Sequence, residues 1–145
     1  MFYKIIATVF FIGYFPFAPG TVASVFAMAV LWLFKLSDRV VLFMLIVFFI
    51  LGVLASEKIE KKLEKKDPSC IVIDEFTGYL TAVAFFTLNW QVLVAGFILF
   101  RFFDILKPPP IRQIERKLRG GLGIMIDDMI AGLMANLSLR ILLML

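Results

Sequence analysis

Histidine is absent from this chain of 145 residues. That absence removes Ser-His-Asp chemistry, histidine nucleophiles, HExxH metalloproteases and His-ligated zinc together. Cysteine is nearly absent. Cys70 alone cannot close a disulfide within the chain or build a thiolate metal cluster, and it reads as a small apolar residue at a helix start. Charge is sparse as well, with 18% charged residues against 62% hydrophobic. A soluble domain carries about 45–50% apolar residues. With a mean hydropathy of +1.00, the composition is that of a membrane protein, and the length is that of one domain, 1–145.

The net charge of +4 would suggest nucleic acid in a soluble protein. Here the basic residues gather in two blocks between apolar runs, which points to membrane orientation and to no nucleic-acid partner. Residues 1–15 carry Lys4 ahead of an apolar run, but Pro16 and Pro19 follow at once and no Ala-x-Ala site is present. They read as a retained interfacial or partly inserted helix, not a cleaved leader.

Five further apolar segments follow. The first is expected over residues 21–36, with Thr21 as N-cap behind the turn Pro19-Gly20. The second covers 40–55 and continues as a polar helix over 56–66, where Glu57 and Lys61 stand at helical spacing. The third covers 70–88, the fourth 92–106 and the fifth 122–143, with a short amphipathic helix over 111–118 between the last two. The expected fold is all-α: a polytopic membrane bundle of about five embedded helices plus an N-terminal interfacial helix. The 56–68 loop holds Lys58, Lys61, Lys62, Lys65 and Lys66, and the 107–121 loop holds Lys107, Arg112, Arg116, Lys117 and Arg119. The positive-inside rule makes both loops cytoplasmic.

Two pairs of adjacent acids sit directly behind greasy runs: Asp74-Glu75 and Asp127-Asp128. An Asp at the centre of a membrane helix costs about 2.5–3.5 kcal/mol on insertion scales. Span counting brings both pairs to the same cytoplasmic edge, together with Asp104 at the end of the fourth segment. Neighbouring helical residues lie about 100° apart, so two facing pairs supply three or four oxygen ligands, a set suited to Mg²⁺. The competing reading makes them helix N-terminal acids that complement the macrodipole. Arg101, Asp104 and Lys107 follow an i, i+3 progression and share a face. Their cations either snorkel to headgroups or bind phosphate oxyanions. Thr21, Ser24 and Gly121, near two expected helix starts, are candidate phosphate-binding positions or ordinary caps and turns.

Four segments, GYFPFAPGTVAS at 13–24, DPSCIVIDEFTG at 67–78, FRFFDILKPPPI at 100–111 and GGLGIMIDDMIAG at 120–132, resemble the phosphatidylglycerophosphatase A family in their order. The resemblance covers residues 13–135. It implies an integral membrane, Mg²⁺-dependent phosphatase that converts phosphatidylglycerophosphate to phosphatidylglycerol. It places the family's acid positions on Asp74, Glu75, Asp104, Asp127 and Asp128, and its basic positions on Arg101 and Lys107. Two departures are visible: Ala23 stands where many members have Gly, and Lys66 where many have His.

The expectation is therefore a bacterial inner-membrane lipid phosphatase with a phospholipid substrate in the cytoplasmic leaflet. Asp74, Glu75, Asp127 and Asp128 would hold metal. Asp104 or Asp127 would act as base, and Arg101 and Lys107 would bind phosphate. A divalent-cation channel or carrier is the alternative from another class. A lipid phosphotransferase is a third option, for which the spaced Asp-Gly and Ala-Arg pattern is missing.

Overall fold

The computed structural model describes residues 1–144; Leu145, the last residue of the expected domain, lies outside them. Among the described residues there are seven α-helices and no strand: α1 (Phe2–Ala7), α2 (Pro19–Phe34), α3 (Asp38–Leu63), α4 (Ile73–Val83), α5 (Trp90–Leu106), α6 (Ile111–Lys117) and α7 (Gly120–Met144).

The N-terminal segment is not one helix over 1–15. It stops at Ala7, because Val9, Phe10 and Phe11 take left-handed backbone conformations that no α-helix accommodates; a 3-10 turn, Ile12–Tyr14, follows. The Thr8 hydroxyl donates to the Lys4 carbonyl at 2.6 Å and accepts from the Phe11 N–H at 3.0 Å. The Val72 N–H donates to the Ala7 carbonyl at 2.9 Å, tying this segment to the approach to α4.

α2 begins at Pro19, not behind Thr21. Ala18 is its N-cap, and Pro19 occupies the first turn, where its missing N–H costs nothing. The second apolar segment and its polar continuation form one unbroken helix: α3 has 26 residues, about 39 Å. α5 opens as expected from its turn, with the Asn89 side chain accepting from the Val92 N–H at 2.9 Å.

The largest departure is α4. A segment of 70–88 was expected, yet the helix has 11 residues, about 16 Å, half of a hydrocarbon core about 30 Å thick. Apart from Glu75, every one of its residues is buried. Its C-terminal carbonyls find a partner outside the helix: the Asn136 amide on α7 donates to Thr81, Ala82 and Ala84 at 3.0–3.1 Å. α4 packs against α2, α3, α5 and α7. Glycines allow the tightest of these approaches, since a Cβ on Gly132 would lie 2.3 Å from the Gly78 carbonyl oxygen.

α3 and α7 are long and apolar enough to cross a membrane, and α2 is a shorter apolar helix. A soluble core helix would hide its apolar side chains. α3 instead exposes Leu42, Phe43, Ile46, Ile50 and Leu54, a face fit for hydrocarbon. The α2–α3 turn and residues 85–88 line a common hollow at the end of the bundle away from the acids.

Candidate active site

The first turn of α4, the second and third turns of α7, the last turns of α5 and the first residues of α2 meet around a hollow of about 330 Å³. Its charged lining consists of Asp67, Asp74, Glu75, Asp104, Asp127 and Asp128 against Arg101 and Lys107. Six carboxylates against two cations leave a formal excess of four negative charges.

Asp74, Glu75 and Asp128 each offer one carboxylate oxygen, and these lie within 4.8 Å of one another. Asp74 and Asp128 are 6% and 4% exposed. Asp74 Oδ1, Glu75 Oε2 and Asp128 Oδ2 are buried without any hydrogen-bond partner. Unpaired buried oxygens carry a desolvation cost of about 1–3 kcal/mol each, more when charged, and three together repel. A hard divalent cation would satisfy all three, and this donor set fits one. The approach of α2 is equally close: a Cβ on Gly20 would lie 1.9 Å from Glu75 Oε1.

Asp127, the fourth expected metal ligand, lines the same cavity and has hydrogen-bond partners of its own. Asp127 accepts from Lys107 Nζ at 2.7 Å and from the Asp128 N–H at 3.1 Å. Lys107, which caps α5, also pairs with Glu115 at 3.1 Å. Burial pulls its pKa down, but the Asp127 and Glu115 carboxylates outweigh that and hold the ammonium above its ordinary value. Arg101 pairs with Asp104 one turn along α5, while its Nε is buried and unpartnered. It is a free donor on the cavity wall. Loss of surrounding water, with Glu115 and Glu60 adding to it against the opposing Lys107 and Lys66, pushes the Asp67 carboxyl upward.

Arg101, Asp104, Lys107, Asp74, Glu75, Asp127 and Asp128 are thus brought together. Thr21, Ser24 and Gly121 are not among the cavity residues. The Ser24 hydroxyl is spent on the Gly20 carbonyl of its own helix, at 3.0 Å. Gly121 packs on α3, where a Cβ would strike the Val53 carbonyl. Thr21 is the third residue of α2 and not its cap, because the helix starts earlier than expected. In their place Ala18, Pro19 and Gly20 line the hollow, with Asp67, Ser69 and Ile71 from the α3–α4 connection. The Asp67-Pro68-Ser69 run signals a helix stop, and its second role had no separate local mark beyond an acid set beside a basic block.

The described residues are thus those of an all-helical protein with helices long enough to cross a membrane, which gathers six carboxylates and two cations at one cavity. The chain belongs to the phosphatidylglycerophosphatase A family, whose model matches residues 5–143. It is 41% identical over 121 residues to phosphatidylglycerophosphatase A of Haemophilus influenzae, which covers 81% of this chain and 74% of that protein. Identity to phosphatidylglycerophosphatase A of Escherichia coli is 36% over 135 residues, 92% of this chain and 78% of that one. A Bacteroides thetaiotaomicron protein named "Putative phosphatidylinositol-3-phosphatase" is 36% identical over 138 residues, 88% of this chain and 85% of that one. No solved structure matches the chain.

Proposed function

We propose that this chain hydrolyses the terminal phosphomonoester of phosphatidylglycerophosphate to phosphatidylglycerol and inorganic phosphate, with Mg²⁺ as cofactor. The observation that carries the reading is the trio of unpartnered oxygens on Asp74, Glu75 and Asp128 beside Arg101 and Lys107. Family membership supplies the substrate. Those three acids would hold the metal, which when bound would polarise the phosphoryl oxygens and favour hydroxide over water. The Arg101 Nε–H and the Lys107 ammonium bind phosphate oxyanions and stabilise the charge that develops on them. Asp127, oriented by Lys107, or Asp104, oriented by Arg101, accepts the proton of the attacking water. The new bond joins water oxygen to phosphorus, the bond to the glycerol oxygen breaks, and the proton taken up by the carboxylate passes to that oxygen, which leaves as the alcohol.

The site's edge is the cytoplasmic one in this reading. The lysine-rich end of α3 and the basic residues of 107–119 flank it. Five passages of a bacterial inner membrane are α2, α3, α5, α7, and α4 extended by residues 84–89. The hollow shared by the α2–α3 turn and residues 85–88 supports counting that composite as a passage. Acyl chains then remain in the cytoplasmic leaflet while the phosphate reaches the acids. A cation conduit would need polar groups continuing beyond the acids, whereas the space between α2 and α5 is lined by apolar side chains.

Purified protein should release phosphate from phosphatidylglycerophosphate with Mg²⁺ and stop on addition of EDTA. Asp74→Asn and Asp128→Asn should each lower the rate by about 100-fold or more, the scale of a lost metal contribution. Full release by both variants overturns the assignment. Faster release from phosphatidylinositol 3-phosphate would reassign the headgroup.

A further inference from the structure

Between α2 and α5 lies a third hollow, of about 260 Å³, lined only by apolar side chains. On α2 it is bounded by Val25, Met28, Ala29 and Trp32. That i, i+3, i+4, i+7 spacing is one helical stripe. One turn back the stripe reaches Thr21 and Val22, directly after Ala18, Pro19 and Gly20, which line the acidic cavity. On α5 the hollow is bounded by Trp90, Leu93 and Val94. The same stripe runs on through Phe97 to Arg101 and Asp104, which are cavity residues. At about 100° per residue these α5 positions stay within an arc of about 100°. Each helix therefore carries one continuous face from the apolar hollow to the acidic cavity, which α5 lines with Arg101 and Asp104 and α2 with its small first residues.

The depth is that of a lipid tail. Val25 lies about 8 Å along the axis from Gly20, and Trp90 about 21 Å from Asp104. One leaflet of hydrocarbon is about 15 Å deep. The geometry points to the α2–α5 groove as the seat of an acyl chain of the same lipid whose phosphomonoester occupies the acidic cavity. This rests on the phosphatase reading above and adds to it how the lipid lies: it enters sideways between α2 and α5, and its tail is read by Ala29, Trp32, Trp90 and Val94.

The test uses the full chain in detergent micelles and two substrates, dioleoyl and dibutanoyl phosphatidylglycerophosphate. Ala29→Phe fills the groove. For the dioleoyl lipid kcat/KM should fall about tenfold, about 1.4 kcal/mol, as if about two methylenes lost their burial. For the dibutanoyl lipid, whose tails stop short of the groove, it should not change. Equal loss on both substrates, or loss on neither, overturns the inference. A second readout needs no turnover. The chain's two tryptophans both line the groove, so a phosphonate analogue brominated in mid-chain should quench their fluorescence more than equally brominated phosphatidylcholine, and Ala29→Phe should erase the difference. Equal quenching by both lipids overturns the inference, since it marks ordinary bilayer contact. Selective quenching without hydrolysis would retain the groove and defeat the phosphatase reading instead.

Discussion

Lys107 holds two carboxylates at once, Asp127 at 2.7 Å and Glu115 at 3.1 Å. A lysine whose folded pKa is raised contributes stability that is fully present below its unfolded value, about 10.4, and is lost only as pH rises through the higher folded value. It therefore does not titrate in the working range. Lys107→Gln should lower phosphate release by about 100-fold while leaving the alkaline limb of the pH–rate profile unchanged up to about pH 9. Disappearance of that limb in the variant would assign the titrating group to Lys107 and contradict this account. The charged residues were legible in the chain because acids inside apolar runs are anomalous on local grounds alone. Hydroxyls carry no such mark. Ser24 can satisfy itself on its own helix, and only the fold shows that it does. Asp67 was hidden for the opposite reason, since its Asp-Pro setting has a sufficient local explanation as a helix stop.

At the scale of elements, α4 is the part the sequence conceals. Residues 70–88 form an apolar run without proline, and no local signal ends a helix at Val83. Where it stops, Asn136, more than fifty positions away, donates its amide to the carbonyls of Thr81, Ala82 and Ala84, the first of which also accepts from the Ala84 N–H. Asn136→Leu should deprive these acceptors of that donor in an apolar interior and cost about 1–3 kcal/mol, read as a lower thermal midpoint in detergent. Since Asn136 also accepts from Arg140 at 2.9 Å, Asn136→Asp, which keeps that acceptor but loses the donor, should be similarly destabilised. An unchanged midpoint in both would mean that the carbonyls do not need Asn136. The other long helices were legible to within a few residues, because their ends carry turn residues such as Ser37, Asn89 and the prolines after Lys107.

For the whole molecule, the parts that face outward and the part that bears the acid pair are different parts. α3 turns a wide apolar face outward, whereas α4 is enclosed by its neighbours. A change in bilayer thickness thus reaches the Asp74–Glu75 pair only through other helices, while α5 and α7, which carry the rest of the site, also face outward. Release of phosphate from the dibutanoyl lipid should stay within about threefold across vesicles of myristoleoyl, oleoyl and eicosenoyl phosphatidylcholine, given mismatch costs of fractions of a kcal/mol per Å. A swing of about tenfold or more would show that the site is not shielded. The same enclosure makes α4 a short lever. Its fulcrum is among α2, α3, α5 and α7, its load is the Asp74–Glu75 pair, and its other arm, held by Asn136, ends beside residues 84–89, about 16 Å away. A disturbance of that distant turn reaches the acids as a tilt of the whole rod, so the end of the protein farthest from the chemistry is mechanically one of its nearest neighbours.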